Sequence, residues 1–182
     1  MDVDAIHALL PQTQCTRCGY AGCRPYAEAI ARGDAAINRC PPGGSDTLQR
    51  LSRLTGVPAP PTIDPQCGVE GPPQIAVIDA TRCIGCARCL PPCPVDAIVG
   101  ASRQLHVVLE ELCTGCELCI APCPVDCITL IPRSTHAPHS PEPAPTLNLR
   151  RFEAHEQRRE RREAERRTLL AERKRRITSP PR

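Results

Sequence analysis

The 182-residue chain contains 14 Cys, 22 Pro and no Trp, and only 2 % of it is aromatic, too little bulky apolar side chain for a large conventional core, so metal centres or disulfides must act as staples. Its net charge of +3 is unevenly spread, residues 1–149 holding 10 basic and 14 acidic side chains and residues 150–182 holding 13 and 6, so the two parts face different partners. The best apolar runs, IAVI and QLHVVL, fall far short of the roughly 18 to 20 residues that cross a membrane, and the opening MDVDAIHALLPQTQC lacks the regions of a secretory signal.

A cytosolic address follows, and there clustered Cys are read as metal ligands before disulfides. Residues 1–54 read as short helices around a Cys set, VDAIHALL before Pro11 and RPYAEAIA after Cys23. Pro25 suits a first helical turn and Gly33 a helix C-terminus. Residues 55–73 are too rich in Pro and Gly for a helix or inner strand and read as a linker.

Residues 74–132 form an internal repeat with a 30-residue offset: CIGCARCLPPCPVDAI at Cys83 to Ile98 realigns with CTGCELCIAPCPVDCI at Cys113 to Ile128, ten of sixteen positions being identical. β-type runs flank the copies (IAVID, LHVVLE, ITLI), predicting strand, ligand loop, short helix and strand in each. Residues 133–149 read as a disordered Pro-rich linker, and residues 150–182 as an Arg/Glu-rich helical tail without an apolar stripe, solvated rather than packed. The chain is therefore expected to be α+β.

Each copy carries Cys-x2-Cys-x2-Cys-x3-Cys-Pro, the bacterial ferredoxin run in which the fourth Cys ligates the other cluster. Three thiolates on a loop loosened by Gly85 or Gly115 wrap three corners of an iron-sulfur cube, and the fourth ligand comes from across the fold. The expected sets are Cys83, Cys86, Cys89 with Cys123, and Cys113, Cys116, Cys119 with Cys93. A pair of four-cysteine zinc sites is the competing reading, disfavoured by the two matched runs and their prolines.

The N-terminal Cys15, Cys18, Cys23 and Cys40 make a complete ligand count for one more [4Fe-4S] cluster or for one zinc, and the neighbouring repeat favours the cluster. Cys127 is set aside because Ala97 stands at its place in the other copy, and Cys67 because it is isolated. His7, His106, His136, His139 and His155 lie outside any recognised ligand spacing. Tyr20 and Tyr26 are expected to pack around the first cluster, and Asp96 and Asp126 to serve a turn or helix start.

The stretch LPQTQCTRCGYAGCRPYAEAIARGDAAINRCPPGG, followed by a repeat containing CIGCARC and CPVDCI, resembles the B subunit of the Rnf (Rsx) ion-translocating electron-transport complex over about Leu10 to Pro132. The resemblance implies that Cys15, Cys18, Cys23 and Cys40 bind a cluster, making three [4Fe-4S] clusters in all. The family's membrane form begins with an apolar anchoring helix, whereas here the Cys motif starts at residue 15. The expectation is a cytoplasmic protein, free or peripheral on the cytoplasmic face of the inner membrane.

The sequence thus predicts one-electron transfer between redox partner proteins, whose identity it leaves open, as a carrier or as a subunit of an oxidoreductase rather than an enzyme by itself. Nothing resembles a flavin or nicotinamide cradle. Membrane subunits of an Rnf-type complex are the partners that the resemblance implies. The alternative is a basic tail that binds nucleic acid or an anionic membrane, which the interspersed Glu of the tail disfavours.

Overall fold

The computed structural model describes residues 1–136 and 142–178. Three helices come first: α1 (Val3–Leu9), α2 (Cys23–Arg32) and α3 (Gly44–Thr55). The Asp2 carboxylate caps α1 by accepting from the Asp4 N–H at 2.9 Å. Gly33 closes α2 at φ +81°, a conformation that carries no steric cost in glycine. Ile6, Leu10, Tyr26, Ala27, Ile30, Leu48 and Leu51 from the three helices bury a common core.

Tyr26 is the largest fully buried side chain of that core, and its hydroxyl donates to the Ala36 carbonyl at 2.9 Å while accepting from the Arg39 N–H at 3.0 Å. Both bonds fasten the loop that delivers Cys40. Residues 55–73 contain a 3₁₀ turn at Pro65–Cys67 and are tied back to this unit. Ile63 joins the core, the Asp64 N–H donates to the Asn38 carbonyl at 2.9 Å, and the Glu70 carboxylate accepts from the Ser45 N–H at 2.9 Å.

The repeat builds two antiparallel ribbons from β1 (Gln74–Ile78), β2 (Ile98–Val99), β3 (Val107–Val108) and β4 (Ile128–Pro132). β1 pairs with β4, Ile75 opposite Ile131, and β2 with β3, Ile98 opposite Val108. The first and last strands of the segment thus close on each other, which brings the start of one copy to the end of the other. Ile75, Val95, Ala97, Ile98 and Ile128 form the apolar floor of this unit together with its cysteines.

The short helices expected after each ligand set are turns instead. Pro91, Pro92 and Pro94 in one copy and Pro122 and Pro124 in the other remove the N–H donors that a helix needs. Asp96 and Asp126 both adopt φ +48°, a left-handed turn that Asp tolerates better than most residues.

A single turn, α4 (Arg133–His136), follows β4, and α5 (Pro145–Thr178) is a 34-residue helix, about 50 Å long. Residues 137–141 of the Pro-rich stretch, with His139, and 179–182 of the tail lie outside the described residues. The expectations of a disordered linker up to residue 149 and of a tail without packing partners are both corrected where α5 begins. Asn148 is buried and donates to the Pro11 carbonyl at 3.2 Å, and Arg151 donates to the Val95 carbonyl at 2.7 Å. These contacts are polar, so a search for an apolar stripe misses them. No helix among the described residues is long and apolar enough to cross a membrane.

Candidate iron-sulfur sites

Each ligand loop of the repeat is held open by its backbone. The Asp79 carboxylate accepts from the Thr81 N–H at 2.8 Å, and the Asp79 carbonyl accepts from the Cys83 N–H at 3.0 Å, starting the first loop. Gly85 then turns at φ +68°, and a Cβ there would sit 2.7 Å from the backbone N and O of Gln104. Its counterpart Gly115, at φ +65°, would place a Cβ 2.5 Å from the Gln74 carbonyl oxygen. Neither obstacle is a side chain that can swing aside, so only glycine lets the loops lie against the neighbouring backbone.

The loops gather the thiols around three separate voids. Cys83, Cys86, Cys89 and Cys123 line one. Cys113, Cys116, Cys119 and Cys93 line the second. Cys15, Cys18, Cys23 and Cys40 line the third, with Tyr26 on its wall. Tyr20 stacks on Tyr26 with ring centroids 5.6 Å apart. Cys67 is buried beside Asp64, its sulfur 3.9 Å from the carboxylate, outside the four-thiol void.

The donor chemistry fits a [4Fe-4S] group in the two voids of the repeat. Backbone N–H groups are aimed at ligand sulfurs: Ala97 to Cys93 at 3.2 Å, Cys127 to Cys123 at 3.4 Å and Ala76 to Cys113 at 3.4 Å. Such bonds suit a thiolate that carries metal. Among the described residues, no three His, Cys, Asp or Glu side chains converge on a point as one metal ion requires.

Burial pushes the thiols of Cys23, Cys116 and Cys119 up to about 12, and those of Cys18, Cys40, Cys89 and Cys93 upward too. They are protonated at neutral pH without metal, so metal binding must displace protons. Cys123 departs from this: burial pushes it up, but the N–H groups of Cys127, Val125 and Asp126 and the Cys127 thiol outweigh that and hold it below its usual value. Cys127 itself is pushed up to about 12 by burial and by its bond to Cys123.

Two residues that the spacing argument set aside reach the first void. The Cys127 sulfur lies 3.4 Å from that of Cys123, and His106 Nδ1 lies 3.7 Å from the Cys83 sulfur. A signal for both was present in the sequence, since the 30-residue offset matches Cys127 with Ala97 and His106 with Ala76. Arg17, between Cys15 and Cys18, forms an ion pair with Glu117, between Cys116 and Cys119. The N-terminal loop and the second loop of the repeat are thereby joined.

Asp96 is the contact point for α5. Its carboxylate pairs with His155 Nδ1 at 2.8 Å and with Arg158, and its carbonyl accepts from Arg151 at 3.2 Å. This clamp closes on the turn that follows Cys93.

Paired ribbons carrying a doubled four-cysteine run, beside a small helical unit with four more thiols, define an iron-sulfur protein of the [4Fe-4S] ferredoxin kind. The profile of a 4Fe-4S dicluster domain matches residues 76–130, and one described as "Putative Fe-S cluster" matches residues 10–42. Among curated relatives, the B subunit of the ion-translocating oxidoreductase complex from Thiobacillus denitrificans is 54 % identical over 136 residues, 75 % of this chain and 72 % of the relative. That of Alkalilimnicola ehrlichii is 57 % identical over 107 residues, 59 % of this chain and 58 % of the relative. That of an Azoarcus species is 58 % identical over 108 residues, 59 % and 58 % respectively. The chain belongs to this family, the B subunits of ion-translocating oxidoreductase complexes. It spans under two thirds of the length of the last two relatives.

Proposed function

We propose that this chain passes single electrons through three [4Fe-4S] clusters, as the cluster-bearing B subunit of an Rnf-type ion-translocating oxidoreductase. The ligands are Cys15, Cys18, Cys23 and Cys40 for one cluster, Cys83, Cys86, Cys89 and Cys123 for the second, and Cys93, Cys113, Cys116 and Cys119 for the third. The observation that carries this reading is the gathering of twelve cysteines into three four-thiol voids, two of which take their fourth thiol from the opposite copy of the repeat.

A bound [4Fe-4S] group supplies a one-electron couple. The protein's part is to release four thiol protons per site on loading, to keep water from the voids with Ile78, Val95, Val125 and Ile128, and to steady added negative charge with N–H groups aimed at sulfur. The Arg17–Glu117 pair supports an order in which the N-terminal cluster neighbours the Cys113 cluster, with the Cys83 cluster at the far end. The relatives' printed name supports assembly into an ion-translocating oxidoreductase complex. In this reading the described part docks peripherally on membrane subunits of that complex at the cytoplasmic face.

The test is protein purified without oxygen, with iron, acid-labile sulfide and zinc counted per chain and the reduced state examined by EPR. About twelve iron and twelve sulfide with no zinc is the expected result. About eight iron and one zinc would make the N-terminal site structural, and zinc alone would overturn the electron-transfer reading.

A further inference from the structure

The internal repeat provides its own control for what surrounds each void. A shift of 30 residues carries Cys83, Cys86 and Cys89 onto Cys113, Cys116 and Cys119, Cys123 onto Cys93, and the wall residues Val125 and Ile128 onto Val95 and Ile98. The match fails where His106 faces Ala76 and Cys127 faces Ala97, and both of these polar residues stand on the first void. In the other direction, Thr114 replaces Ile84 at the second void, where its hydroxyl faces the single thiol of Cys116. The second void also has Glu117 on its wall.

The two extra groups at the first void are aimed at ligand sulfurs. His106 is 3 % exposed and packed against Gly100, where an added Cβ would strike its ring. Its Nδ1 is 3.7 Å from Cys83 Sγ, while Nε2 has no partner among the described residues. A metal-bound thiolate only accepts, so His106 meets Cys83 as the donor, through an N–H on Nδ1. The same holds for the sulfur pair 3.4 Å apart: with Cys123 bound to iron, Cys127 is the donor.

Hydrogen bonds to cluster sulfur stabilise the more negative, reduced state and raise its potential. We propose that His106 and Cys127 hold the cluster of Cys83, Cys86, Cys89 and Cys123 at a higher potential than its repeat partner, so that electrons collect there. A single electron moves from one site to the other, one being reduced and the other oxidised, and no bond breaks. Cys86, the exposed cysteine of the set, lies at this end. The inference rests on the ligand assignment proposed above.

The test uses the loaded protein in a reductive titration followed by EPR, after iron and sulfide have been counted. In the double variant His106→Phe, Cys127→Ala, Phe keeps the ring bulk without N–H and Ala is the residue of the other copy. Its expected effect is to lower the higher of the two repeat midpoints, with about a tenfold fall in that cluster's reduced-to-oxidised ratio at fixed potential, or about 59 mV for one electron. The lower midpoint stays where it was. Cys127→Ser, which keeps a donor, lies closer to the unaltered protein than Cys127→Ala does.

Unchanged midpoints at full loading overturn the proposal, as does movement of the lower one alone. If the double variant loses iron, Cys127→Ala against Cys127→Ser decides by the same criteria. Zinc in place of iron in the unaltered protein overturns the ligand assignment itself, and metal content distinguishes that failure before any titration.

Discussion

Replacing Asp96 by Asn should free the start of α5 from the body of the protein while leaving the Cys93 turn intact. Asn tolerates the φ of +48° at this position, so the backbone is not what the substitution disturbs. What goes is the charge facing His155 and Arg158. The Asp96 side chain is 35 % exposed and Arg158 42 %, so solvent screens that ion pair to about 0.5 to 1 kcal/mol, and the hydrogen bond with His155, 12 % exposed, contributes about as much. Losing both costs about 1 to 2 kcal/mol, a factor of roughly 5 to 30 in the docked-to-free ratio. Amide hydrogen exchange across 145–160 should accelerate by that order. Arg151→Ala, which strips the donor from the Val95 and Asp96 carbonyls, should do the same by a separate route. Salt near about 0.5 M should reproduce part of the Asp96→Asn effect, because half-exposed pairs are screened. Unchanged exchange in both variants would refute the clamp as the holding contact.

Gly85→Ala and Gly115→Ala should each lower iron content and stability by about 2 kcal/mol or more, since a Cβ meets backbone at 2.7 and 2.5 Å and both φ values are positive; iron per chain and urea unfolding check this. A double-mutant cycle on Arg17 and Glu117 should return a coupling of about 0.2 to 1 kcal/mol, because both side chains are about a third or more exposed; a value near zero would mean that the two units are held by other contacts. Burial, followed by the Arg24 charge, keeps His7 below its usual 6.5, against the opposing pull of Asp4 and Gln12. The unfolded chain therefore binds that proton more readily, and the stability His7 contributes is full above about pH 6.5 and lost as pH falls through its lower native value. His7→Gln should flatten that acid-side slope in anaerobic urea unfolding.

Much of this protein is a local code. Pro11, Pro25 and Gly33 mark the ends of α1 and α2, and alternating β-branched runs mark β1 and β4, because these signals act through φ and through donors that are present or missing within a few residues. The same prolines that follow each ligand loop rule out the short helices that the pattern otherwise suggested. The cysteine spacing is local too, since three thiols on one turn-rich loop have little freedom to serve separate sites.

The rest needed the chain to close on itself. The β1–β4 pairing brings Cys123 and Cys127 to the loop of Cys83, and the β2–β3 ribbon brings His106 there. α5 is a helix by its own propensity, but its seat is chosen by Asp96, 59 residues upstream of His155. Sequence periodicity records which residues share a face of one element. It does not record which polar groups meet across elements, because a hydrogen bond or an ion pair needs a partner in space and leaves no period in the chain.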